Sequence, residues 1–109
     1  MHFGPRTALL LLLLSASPAR GELQIEGVSD EIARNVRSYV ALAAEPCDAE
    51  EWLVRRRFRK VEAEARAALE PFGYYDPTIE KTLVLNEECW QSTLSIEPGS
   101  PVVLREVDI

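Results

Sequence analysis

The most regular hydrophobic pattern in this chain covers residues 52–75 and predicts one long helix followed at once by a strand. Apolar and small residues recur every three or four positions, which places them on a single helix face; they are Phe58, Val61, Ala65, Ala68, Leu69 and Phe72. Pro71 disfavours helical backbone in the residue before it, and Gly73 can take the left-handed conformation that closes a last turn. We expect Tyr74 and Tyr75 to start the extended run.

A shorter helix is predicted upstream, after a short strand. Residues 23–26 alternate apolar and polar side chains, which is typical of a strand. Ser29 is expected to cap the helix, and Asp30 and Glu31 suit its positive end. We expect this helix to run to about Ala44, with a buried stripe made of Ile32, Val36, Tyr39, Val40 and Ala43.

Two further patterns complete the predicted elements. Asp48 and Glu51 have the spacing of a capping box, which predicts the start of the long helix. Residues 78–85 and 90–97 read as strands on either side of the polar turn 86–88, and together they predict a β-hairpin.

This order of elements predicts an α+β fold of the β-α-α-β-β type, in which a three-stranded mixed sheet carries two helices on one face. The first and last strands are expected to be parallel neighbours joined by a right-handed crossover, and the hairpin then places the middle strand at an edge. The predicted strand order is therefore first, third, second, with the other sheet face exposed to water.

The predicted edge strand is the candidate binding site for a partner or client polypeptide. An edge offers unpaired backbone donors and acceptors to an extended chain whatever its side chains. The candidate residues, which share the outer parity of this strand, are Thr78, Glu80, Thr82 and Val84. Lys81 is the one charge among the inward-facing residues and is expected to guard the edge against uncontrolled pairing. The alternative is that a neighbouring domain shields this edge.

Residues 1–21 have the composition of a secretory signal peptide, with a weakly basic start, a continuous apolar run and small residues before the end. The apolar run is far shorter than the roughly 20 residues that a membrane-spanning helix needs. Cleavage is expected after Ala19 or Gly21. Counted from Glu22, and so without Arg6 and Arg20, the chain has 10 basic and 18 acidic residues, a net charge of −8.

The composition of the exported chain argues against catalysis. The only histidine, His2, lies in the leader, and the remaining glycines lack the spacing of a phosphate loop or a nucleophile elbow. The acidic pairs at 50–51 and 87–88 are interpreted as solvated surface. The basic run 55–60 has acidic partners at helical spacing, which favours a solvated helix face over nucleic-acid binding. We therefore predict that the protein is not an enzyme and that it binds no metal, cofactor or nucleic acid.

Cys47 and Cys89 are the only cysteines in the chain. Export to an oxidising compartment favours a structural disulfide between them, because the spacing matches neither a redox Cys-x-x-Cys motif nor a zinc pattern. Such a bond would tie the loop between the helices to the hairpin.

Three stretches together resemble the first polypeptide-transport-associated (POTRA) domain of TamA-type outer-membrane assembly factors, within the BamA-type superfamily. The first is a G-x-S-x-x-I-x-x-N-V-R motif, carried by Gly27, Ser29, Ile32, Asn35, Val36 and Arg37. The second is the Arg- and Ala-rich helix that runs into Gly73-Tyr74-Tyr75. The third is carried by Ile96, Pro98, Gly99, Pro101 and Val102. The cysteine pair, with Trp90 after Cys89, also resembles that of many relatives.

The resemblance implies a non-enzymatic module at the periplasmic face of the outer membrane of a Gram-negative bacterium. It implies a role in the insertion or translocation of autotransporters and other β-barrel proteins. The implied partners are a TamB-like protein anchored in the inner membrane, unfolded outer-membrane client polypeptides, and the adjacent POTRA domain and β-barrel of the full-length protein. Two alternatives stay open: a POTRA domain of a BamA-type factor, and a free-standing secreted binding or inhibitor domain.

The domain organisation expected from these patterns has three parts: a signal peptide at 1–21, a POTRA domain at 22–99, and at 100–109 a linker with the first strand of a second unit. Val107-Asp108-Ile109 repeats the alternation of Leu23-Gln24-Ile25. We therefore expect the chain to be a fragment that stops inside a second POTRA domain.

Overall fold

The computed structural model describes residues 21–102, and its sheet is built from three strands. Strand β1 spans Glu22–Glu26, β2 spans Thr78–Leu85 and β3 spans Trp90–Glu97. The predicted leader, apart from its last residue, and the predicted strand in the last residues of the chain lie outside the described part.

The sheet has the predicted order β1-β3-β2. β1 runs parallel to β3, with Leu23 beside Ser92, and β2 runs antiparallel to β3, with Thr82 opposite Thr93. The hairpin bounds agree with the prediction at both strands. β2 is consequently an edge strand, and its outer side faces no other strand of the described chain.

Helix α1 spans Asp30–Tyr39 and helix α2 spans Glu51–Leu69. Both helices belong to the predicted β-α-α-β-β order, so the α+β fold is confirmed. The hydroxyl of Ser29 accepts a hydrogen bond from the Ile32 N–H at 3.3 Å, which is the predicted cap of α1.

The prediction that the first helix continues to about Ala44 was wrong. Val40 is extended, its N–H bonds to the Val36 carbonyl, and a separate 3₁₀ helix spans Ala41–Ala44. This break turns Leu42 fully into the core, whereas Tyr39, expected in the buried stripe, is 44% exposed.

The capping box predicted for the long helix was also wrong. The N-cap of α2 is Glu50, with no side-chain hydrogen bond, and Asp48 lies in the turn before it. The end of the helix agrees better with the prediction. Gly73 is left-handed at φ 90°, and its N–H bonds to the Glu70 carbonyl while the Tyr74 N–H reaches the Leu69 carbonyl, the paired bonds of a Schellman motif.

The strand after this turn begins later than expected. A 3₁₀ helix, Glu70–Phe72, precedes Gly73, and Tyr74 and Tyr75 form a loop before β2 starts at Thr78. The prediction that the strand follows the helix at once was wrong by these few residues.

The core lies between the helices and the sheet. Every second residue of β3 is buried against the helices, and the buried apolar residues of the described chain are Leu23, Val36, Val40, Leu42, Val54, Val61, Ala65, Ala68, Leu69, Ile79, Trp90, Leu94 and Ile96. Two side chains donate to backbone carbonyls across the core: Asn35 Nδ2 of α1 donates to Ala68 O of α2 at 2.9 Å, and Trp90 Nε1 of β3 donates to Pro46 O in the loop between the helices at 3.0 Å.

Candidate functional site

The backbone groups of β2 that point away from the sheet can be identified from one side-chain hydrogen bond. Ser92 Oγ of β3 donates to the Thr82 carbonyl at 2.8 Å, so that carbonyl points toward β3. In an antiparallel pair the N–H and C=O of one residue point to the same side, and the direction alternates along the strand. The N–H and C=O groups of Lys81 and Leu83 therefore point outward.

These outward groups have no hydrogen-bond partner within residues 21–102. An edge strand with unpaired donors and acceptors is a template for another extended chain. β2 is eight residues long, enough for several such bonds.

The candidate binding residues of the sequence analysis lie together on one side of β2. Thr78, Glu80, Thr82 and Val84 are all exposed, and the residues between them are buried or half-buried. Val84 leaves 51% of its surface open to solvent. The parity predicted for the edge strand is thus present, while a binding role for these residues stays a prediction.

Lys81 faces the helices, as its parity predicts. Its Nζ donates to the Phe58 carbonyl of α2 at 3.1 Å and lies 4.6 Å from the centroid of the Phe58 ring. Both contacts hold the ammonium group beside the strand edge. The expected guarding function remains a prediction.

A groove runs between α2 and the edge strand. Its volume is about 470 Å³, and its lining residues are Arg55, Phe58, Arg59, Lys81, Thr82, Leu83 and Leu85. The apolar side chains of the groove are Phe58, Leu83 and Leu85, and its helix wall carries the guanidinium groups of Arg55 and Arg59. An extended chain added to β2 would place every second side chain here.

This groove was not predicted from the sequence. The basic run 55–60 was interpreted as a solvated helix face, and Arg56 and Lys60 are indeed exposed and do not line the groove. Phe58 could have indicated the groove, because an aromatic residue between Arg55 and Arg59 identifies the helix turn that packs beside β2.

The remaining predicted site residues hold the two ends of β2. Cys47 and Cys89 are joined by a disulfide with a Cα–Cα distance of 4.5 Å, next to the hairpin turn. β3 starts at Trp90, directly after Cys89. At the other end, Gly73 O accepts a hydrogen bond from Val102 N at 2.7 Å, Tyr74 packs against the core, and Tyr75 is 55% exposed.

The opposite edge of the sheet is finished differently. Arg37 of α1 donates to the Leu23 carbonyl of β1 at 2.8 Å, and the Gly21 N–H approaches the Glu45 carbonyl at 3.4 Å. β1 therefore has some of its backbone already occupied by other parts of the domain.

No group of three or more His, Cys, Asp or Glu side chains in 21–102 is placed to hold a metal ion. Neither helix of this part of the chain is long and apolar enough to cross a membrane.

A small α+β module with an open strand edge and a groove beside it has the features of a polypeptide-interaction domain. Residues 22–98 match the family model of the POTRA domain, TamA domain 1. The chain belongs to this POTRA family, whose members mediate protein–protein contacts in assembly factors.

Proposed function

We propose that this chain supplies the first POTRA domain of a TamA-like assembly factor and assists the insertion or translocation of autotransporters and other β-barrel proteins. The domain is non-enzymatic and works in the periplasm of a Gram-negative bacterium, after export by the signal peptide at 1–21. Residues 22–99 form the domain, and 100–109 lead into the next one. Its partners are a TamB-like protein and unfolded outer-membrane polypeptides.

The observation that carries the proposal is the unpaired outer side of β2. A client that is still unfolded exposes its own backbone N–H and C=O groups, and pairing with β2 satisfies them without requiring a fixed side-chain sequence. Family membership supports a binding module, and the open edge supports strand addition as the way it binds.

Leu83 provides the sharpest test because its N–H points outward. Proline is tolerated in edge strands where its missing N–H faces solvent, so Leu83→Pro should leave the β2–β3 pairing in place. Leu83→Ala is the matched control, since both variants lose the leucine side chain but only the proline removes the donor.

The measurement is photo-crosslinking in the full-length protein from a probe at Thr82, whose side chain is exposed. Losing the one backbone hydrogen bond donated by Leu83 N–H should lower crosslinking to partner or client by about fivefold in Leu83→Pro relative to Leu83→Ala. Equal crosslinking in the two variants, with both folded by circular dichroism, would exclude strand addition at this edge and favour an edge shielded by a neighbouring domain.

A further inference from the structure

The groove beside β2 differs in charge from the rest of the domain. The whole chain has a net charge of −6, yet the charged residues lining the groove are Arg55, Arg59 and Lys81. No carboxylate of residues 21–102 lines it. A cationic groove on an acidic protein has a positive local potential, which favours an occupant that carries negative charge.

Two of these cations have no competing carboxylate among the described residues. Arg59 and Lys81 form no ion pair there, and Lys81 keeps donors free beyond its bond to the Phe58 carbonyl. Arg55 pairs with Glu51 at 2.9 Å, but the side chains are 56% and 64% exposed, and such surface pairs exchange easily.

The sheet face that points away from the helices carries negative charge. The exposed residues of the three strands on that face include Glu22, Glu26, Glu80 and Glu97 and no Lys or Arg. With one set of alternate side chains, a strand added to β2 would therefore meet the cations and the apolar side chains of the groove. With the other set it would lie beside the Glu80 carboxylate of β2.

We infer that the groove selects extended polypeptide segments whose groove-facing side chains combine carboxylates with aromatic or aliphatic groups. Carboxylates would pair with Arg55, Arg59 and Lys81, while the apolar groups would cover Phe58, Leu83 and Leu85. The inference rests on the proposed strand addition and adds to it a preference in side-chain chemistry. Specificity of this kind acts on top of the sequence-tolerant backbone bonds.

The probes are three capped eight-residue peptides that differ at two positions. Each alternates threonine on one parity with phenylalanine and a variable residue on the other, and the variable residue is glutamate, glutamine or lysine. Acetyl and amide caps remove the terminal charges, so the variable residue alone sets the peptide charge. Binding to the full chain is followed by fluorescence anisotropy of a labelled peptide.

The expected order of affinity is glutamate over glutamine over lysine, with about a fivefold step between the first two, the size expected for two exposed ion pairs. The step should shrink as salt rises, because exposed charges are screened. In the Arg55→Gln/Arg59→Gln variant the glutamate and glutamine peptides should bind alike.

The matched control is Arg56→Gln/Lys60→Gln, which removes the same charge from the same helix outside the groove. This control should keep the preference for glutamate. If both double variants reduce it equally, the preference reflects overall charge and the inference is wrong.

Leu83→Pro separates this inference from the proposed function. If Leu83→Pro loses binding of all three peptides but the unaltered protein shows no preference for glutamate, strand addition is supported and selection by charge is wrong. Undiminished binding in Leu83→Pro would instead overturn strand addition and the selection that rests on it.

Discussion

The two edges of the sheet, β1 and β2, are built from the same kind of strand but leave different amounts of backbone open. β1 has five residues, and Arg37 of α1 already donates to its Leu23 carbonyl at 2.8 Å. β2 has eight residues, and its outward N–H and C=O groups meet no partner within the described chain. The domain therefore has one partly occupied edge, β1, and one open edge, β2.

The unpaired edge strand β2 is nevertheless fixed in position. The Gly73 turn holds the chain before β2, and the Cys47–Cys89 disulfide holds it after the hairpin turn. An edge that is fixed in place but unpaired is suited to receive a strand, since it loses little conformational freedom when it binds.

The largest expected effect comes from removing the disulfide that holds the hairpin end of β2. The bond closes a loop with a sequence separation of 42 residues, so the double variant Cys47→Ser/Cys89→Ser should lose about 4 kcal/mol of unfolding free energy on the chain-entropy model. Urea denaturation of oxidised and variant protein measures this loss.

Mass spectrometry provides the accompanying check on the native protein. Periplasmic material under non-reducing conditions should show a mass two hydrogens below that of the dithiol. Two thiols that react with an alkylating agent would contradict the proposed anchoring of β2 at this end.

A smaller effect is expected at the other anchor, Gly73. Its φ of 90° strains any other residue, and an added Cβ would lie 3.0 Å from the Val102 carbonyl oxygen. Gly73→Ala should therefore cost on the order of 1 kcal/mol or more.

Gly99 is the matched control for Gly73. Its φ is 80°, but the nearest atom to an added Cβ lies at 3.6 Å, an ordinary contact. Gly99→Ala should lower the unfolding free energy less than Gly73→Ala when both variants are measured by thermal unfolding. Equal costs would mean that the close approach of Val102 does not help to hold this end of β2.

The smallest expected loss of stability is at β1, the partly occupied edge. Arg37→Ala removes the donor to the Leu23 carbonyl and should lower stability by about 1 kcal/mol or less, because the arginine is largely exposed. It should also raise photo-crosslinking from a probe at Gln24 of β1.

The control for that change is Arg34→Ala on the same helix, an exposed arginine with no ion pair in residues 21–102. This variant should leave crosslinking at Gln24 unchanged. Equal crosslinking from Gln24 and Thr82 in the unaltered protein would remove the asymmetry between the edges.

Much of this arrangement could be predicted from the sequence. The hairpin bounds, the strand order and the parity of β2 follow from alternation and from the rule that the parallel connection passes over the helices. The parity of Lys81 was predicted because a charge interrupts an otherwise apolar inward row.

The errors lie where local pattern competes with packing. The run from Val40 to Ala44 contains no glycine or proline, so nothing local ends the helix. The α-helix ends at Tyr39 because burying Leu42 in the core outweighs further helical hydrogen bonds. The same change of direction leaves Tyr39 exposed. The groove was missed for a similar reason, since the position of Arg55 and Arg59 over β2 depends on how the helix packs on the sheet.

The central claim, that β2 binds by adding a strand, is tested most directly by amide hydrogen exchange measured by NMR. In the free protein the Lys81 and Leu83 amides should exchange fast and the Glu80 and Thr82 amides, which point toward β3, should be protected. Saturation with the capped glutamate–phenylalanine peptide should slow exchange at Lys81 and Leu83 by at least about tenfold and leave Glu80 and Thr82 protected. Bound peptide with unchanged exchange at Lys81 and Leu83 would contradict strand addition.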